Sequence, residues 1–113
     1  MNTGSSKNQG CLEYDVKFDE FWTVIVKKLS IPTKLFTLKQ GKEFSARYVG
    51  GFVEISPKNK QQRSIHKNEF LKVWMKAKNT LDPFVPSNYT NITFHSSYVV
   101  AIMKHFLIGK KIE

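Results

Sequence analysis

The chain has 113 residues, 41% of them apolar and 13% aromatic, which suits one domain with one core and excludes a solvated, disordered tail. Eighteen Lys and Arg face nine Asp and Glu, and the charge of +9 is uneven: residues 1–20 hold two Lys and four acids, residues 21–113 sixteen basic residues and five acids. The one cysteine, Cys11, has no intrachain partner, which excludes a disulfide and a cysteine-based metal site and fits a reducing cytoplasm.

The opening MNTGSSKNQG is too polar for the core of a signal sequence, and no apolar run approaches membrane-spanning length, so no membrane partner is expected. Residues 1–13 read as a flexible leader and residues 14–113 as a single α+β domain. The first helix is predicted from about Asp15, as its cap, to Leu29. Phe18, Phe21, Trp22, Ile25, Val26 and Leu29 recur every three or four residues and share one face. Ser30-Ile-Pro32 ends it, because the residue before proline is pushed out of the helical region.

Strands are predicted at Leu35–Leu38, Phe44–Val49 and Gly51–Ile55, with a fourth at Arg63–Ile65 returning beside the third. Gln40-Gly-Lys42 turns the first pair. Gly50-Gly51 turns the second, since both positions accept positive φ without steric cost. Phe44, Tyr48 and Phe52 are expected to cover the helices. A second helix is predicted over Lys67–Lys78, with Phe70, Val73, Trp74 and Ala77 as its buried stripe and Leu71 and Met75 widening it. Histidine 66 falls at the cap, Glu69 at the third helical position, and Ile65 and Phe70 where a hydrophobic staple sits.

Residues 79–94 form a long connection that Leu81, Phe84, Val85, Tyr89, Ile92 and Phe94 should tack to the body. Asn88-Tyr-Thr90 and Asn91-Ile-Thr93 spell glycosylation sites, a coincidence in a chain without a secretory signal. The last helix is predicted over Ser97–Ile108, with Val99, Ile102, Met103 and Phe106 inward and Gly109 as its stop. Lys110-Lys111 then meets the negative helix end. The expected fold is a small antiparallel sheet of three or four strands covered by an N-terminal helix and two C-terminal helices. A winged helix is disfavoured because only one helix precedes the strands, and a partly rolled barrel is the other alternative.

No spacing displays the parts of an active site. His66, His95 and His105 lack metal-ligand spacing, no acid pair stands out, and Ser96 and Ser97 start a helix with no Ser–His–acid pattern. Neither catalytic residue, metal nor cofactor is expected, and the chain does not read as an enzyme. Trp22 and Trp74 belong to helix stripes and so to the core. The Gly50-Gly51 pair lacks the lysine pattern of a phosphate loop.

The basic middle is the feature left over. From Pro57 to Lys78 there are seven Lys or Arg against Glu69 alone. Lys58, Lys60, Arg63, Lys67, Lys72 and Lys76 are the candidate phosphate contacts, with Arg47 at the sheet edge, and a merely solvated face is the plain alternative. Only Arg47 and Arg63 offer a bidentate fork, so backbone contact is expected over base readout.

Phe36-Thr-Leu-Lys-Gln-Gly-Lys-Glu-Phe44, Gly51-Phe-Val-Glu-Ile55 and Arg63-Ser-Ile-His-Lys-Asn-Glu-Phe-Leu-Lys-Val-Trp74 form one recognisable stretch, and His95-Ser-Ser-Tyr-Val-Val-Ala-Ile-Met103 a second. Over residues 36–106 the chain resembles small uncharacterised bacterial and phage αβ modules. That resemblance implies a compact αβ unit in a DNA-processing or defence setting and carries no known chemistry. The leading expectation is a non-enzymatic module contacting DNA or RNA through phosphates. The alternative is a protein-interaction or homodimeric module using the aromatic loop, where Phe84, Val85, Tyr89 and Phe94 are more than one connection needs.

Overall fold

The computed structural model describes residues 14–107 and 110–112; the expected leader at 1–13, Ile108 and the Gly109 helix stop lie outside the described residues. Strand β1 (Tyr14–Val16) leads into α1 (Phe18–Lys28), followed by strands β2 (Thr33–Phe36), β3 (Glu43–Val49), β4 (Phe52–Pro57) and β5 (Arg63–His66). Then come α2 (Lys67–Ala77), a 3-10 turn (Pro86–Tyr89), α3 (Ser96–Phe106) and β6 (Lys110–Ile112). Strands β2 to β5 form a four-stranded antiparallel sheet in sequence order, flanked by an N-terminal helix and two C-terminal helices. The fold is α+β, an open meander.

Alternation divides the sheet into two faces. Leu35, Phe44, Ala46, Val53, Ile55 and Ile65 are buried. They share one core with Phe21, Ile25, Phe70, Trp74, Val99 and Ile102 of the helices. Both tryptophans are buried there, and Trp74 lies 5.0 Å from Phe21, ring centroid to ring centroid. The opposite face carries Arg47 paired with Glu54 at 2.8 Å, and Lys34 with Glu43 at 3.9 Å.

Several expectations need correction. Helix α1 starts at Phe18 with Lys17 as its cap, whose amide donates to Glu20 Oε1 at 3.1 Å; Asp15 is in strand β1 instead. The first sheet strand sits two residues earlier than predicted, since Thr37 closes the turn by donating its amide to the Lys42 carbonyl and accepting the Lys42 amide on its hydroxyl. Phe52 falls on the outer face, edge-on to His66 at 5.0 Å, because its neighbour Val53 takes the core position. Met75, Leu81 and Phe94 are exposed, so the long connection is tacked down by Tyr89, Phe84 and Ile92 without Leu81 or Phe94. Lys110 and Lys111 lie in β6, which pairs in parallel with β1 in the register Tyr14–Lys110.

Helix α2 begins as the sequence predicts. His66 Nδ1 accepts the Asn68 amide at 3.0 Å, Glu69 Oε2 accepts the His66 amide at 3.3 Å, and Ile65 and Phe70 are both fully buried.

Candidate functional site

A four-stranded meander puts alternate turns at the same end of the sheet. Here the β2–β3 connection (37–42) and the β4–β5 connection (58–62) share an end, because Phe44 faces Pro57 across the ladder. Each turn is fixed by its backbone. The Gly41 amide donates to the Thr37 carbonyl at 2.9 Å with Gly41 at φ +62°, and Asn59 takes φ +62°, a conformation asparagine tolerates. Between these turns and the start of α3 lies a groove of about 250 Å³.

Four cations line that groove: Lys39 and Lys42 from the first turn, Lys60 from the second, and Arg63 from the start of β5. No carboxylate lines it, and none of the four makes an ion pair among the described residues. Arg63 is held over the ring of Tyr98, 5.8 Å from its centroid, and Tyr98 in turn meets buried Phe44 edge-on at 5.1 Å. Phe94 and Ser97 complete the wall on the α3 side, where no side chain caps the helix and no acid occupies the first turn. The local potential is therefore positive, with uncapped amides adding to it.

A second cleft of about 460 Å³ adjoins the groove and shares Leu38, Lys39, Pro86 and Ser97 with it. Phe84, Val85 and Pro86 make it largely apolar, and Ser87, Thr90 and Ser96 supply its hydroxyls.

The predicted basic segment is divided by the fold. Lys60 and Arg63 enter the groove, and Lys58 lies on the same turn. Lys67 is at the other end of β5, its amide on the Gly51 carbonyl and its ammonium 5.9 Å from the Trp22 ring centroid. At about 3.3 Å per residue the four positions of β5 set the two ends roughly 10 Å apart. Lys72 is exposed on α2. Lys76 donates to the Asn88 carbonyl at 2.7 Å, tying α2 to the 3-10 turn. Arg47 is on the outer face, bound to Glu54. Lys39 and Lys42 did not figure among the sequence candidates; the alternation of turns in the predicted meander is the signal that would have joined them to Lys60.

Glu69 does more than cap α2. Its Oε1 accepts the Thr93 hydroxyl at 2.7 Å and lies 3.0 Å from His95 Nδ1. Burial alone pushes this carboxyl up, but the hydrogen bonds from Thr93, His95 and the His66 amide, with the charge of His95, outweigh it and hold the carboxyl below its ordinary value. The Thr93 hydroxyl also accepts the His95 amide at 3.0 Å, so this network fixes the backbone on which Phe94 stands. Among the described residues no cluster of three or more His, Cys, Asp or Glu is placed to hold a metal, and no helix is long and apolar enough to cross a membrane.

Neither a protein-family model, nor a curated protein, nor a solved structure matches the chain.

Proposed function

We propose that this protein is a non-enzymatic basic module that contacts the backbone phosphates of DNA or RNA. One observation carries the reading: four cations and no carboxylate line a single groove. Phosphates are the polyanion that such a groove, with an uncapped helix start in its wall, is suited to receive. The contacts are Lys39, Lys42, Lys60 and Arg63, with Lys58 beside them. The resemblance to bacterial and phage modules suggests a DNA-processing setting.

Fluorescence anisotropy with short oligonucleotides at two salt concentrations tests this. If the four cations each neutralise one phosphate, a fourfold rise in salt lowers affinity roughly 50-fold on single strands and about 150-fold on duplex. Absence of binding in low salt would refute the reading.

A second reading is a protein-interaction or homo-oligomeric module. It is favoured by exposed Phe36 on β2, a strand on the edge of the sheet, with exposed Ile31 and Leu38 just before and just after it. Light scattering over a wide concentration range checks the homo-oligomer, which a strictly monomeric mass throughout would rule out.

A further inference from the structure

We propose that the apolar cleft beside the basic groove receives an unpaired nucleobase, so that the protein selects single-stranded nucleic acid over duplex. The inference rests on the reading of the groove as a phosphate site. Three observations lead from one to the other.

The first is continuity. The groove and the cleft share Leu38, Lys39, Pro86 and Ser97, so a phosphate among the cations places its own nucleoside at the mouth of the cleft. At about 460 Å³ the cleft falls within the range of roughly 300–1,000 Å³ typical of small-molecule sites. Its walls, Phe84, Val85 and Pro86, suit the flat face of a base.

The second is Ser96. It is only 6% exposed, it lines the cleft, and its hydroxyl has no hydrogen-bond partner among the described residues. A buried hydroxyl left unpaired is costly, and the polar edge of a base supplies the missing partner.

The third is Phe94. This ring is 95% exposed at the groove, yet the backbone on either side of it is fastened by the Thr93–Glu69 and His95–Thr93 hydrogen bonds. An aromatic ring offered to solvent from a fastened stretch of backbone is a stacking platform for the neighbouring base. Duplex DNA satisfies neither feature, because its bases are paired and stacked on one another: their faces are covered, and their edges, though open in the grooves, cannot enter a cleft.

The test compares a fluorescent single strand, the duplex of the same sequence and an abasic strand of equal length in low salt. The single strand should bind roughly 5- to 150-fold more tightly than the other two. Phe94→Ala, which removes an exposed ring and leaves the core alone, should erase most of that preference. Ser96→Ala should lower single-strand affinity without changing abasic-strand affinity. Equal, salt-sensitive binding of all three probes overturns the base site and leaves the phosphate reading intact. No binding of any probe removes both.

Discussion

Arg63 lies over Tyr98, its guanidinium carbon 5.8 Å from the ring centroid, and through that ring the groove is joined to the core at Phe44. The guanidinium is thus held by a surface that is itself anchored, and little of its order must be gained on binding. A cation over a ring at a solvent-exposed site gains about 0.5–1 kcal/mol. Replacing Tyr98 by Leu leaves all four charges in place, so salt dependence should be retained while oligonucleotide affinity falls by a few-fold. Arg63→Ala should lower affinity further and flatten the salt slope by about one contact. Anisotropy titrations at several salt concentrations distinguish the two variants.

The Glu69 network predicts a pH dependence of stability. Its carboxyl titrates below the ordinary value in the folded protein. The unfolded chain therefore takes up the proton first as pH falls. The stabilisation is complete above the ordinary carboxylate range and is lost as pH drops through the lowered folded value. Urea unfolding at stepped pH should show the loss in the wild type and a shallower one in Glu69→Gln. Glu69→Ala leaves the buried Thr93 hydroxyl without its acceptor and should cost about 1–3 kcal/mol at neutral pH.

Phe70 is fully buried, between Trp22 at 5.5 Å and Phe21 at 6.3 Å, ring centroid to ring centroid. Phe70→Ala opens a cavity where α1 meets α2 and should cost about 3–5 kcal/mol. Set against a total of about 5–15 kcal/mol, that is enough to leave the domain marginal. A thermal melt followed by circular dichroism would register the drop.

Gly51 has φ +90°, and no atom lies within 4 Å of where a Cβ would stand. Gly51→Ala should therefore destabilise through the backbone alone, by about 1–2 kcal/mol. A loss much larger than this in urea unfolding would mean that the side chain meets something in the folded protein.

Features set by neighbours in the chain were the legible ones. The His66–Glu69 cap and the Gly50-Gly51 hairpin depend on residues a few positions apart, and the helix stripes on a short period. The site was harder, because Lys39 and Lys60 meet only through sheet topology and their separation in the chain says nothing of it. Conversely, Lys60 and Lys67 are close in sequence and are held apart by the extended run of β5 between them. Phe94 misled for a different reason. Hydropathy alone places an aromatic inside, whereas the fastening of Thr93 and His95 on either side turns it outward. The bonds of Glu69 beyond its cap were not legible, because Thr93 and His95 reach it from a distant loop.

The parallel pairing of Tyr14 with Lys110 gives the chain a temporal order as well as a shape. Strand β1 leaves the ribosome well before its partner exists. At about 5–20 residues per second the wait is roughly 5–20 s. Helix α1 and the meander are synthesised before then, but the core they share with α3 is completed only when Val99 and Ile102 have been made. Strand β6 is thus the last of the described elements to be synthesised. The pairing of β1 with β6 therefore cannot form until α3, and with it the far wall of the groove, has been synthesised.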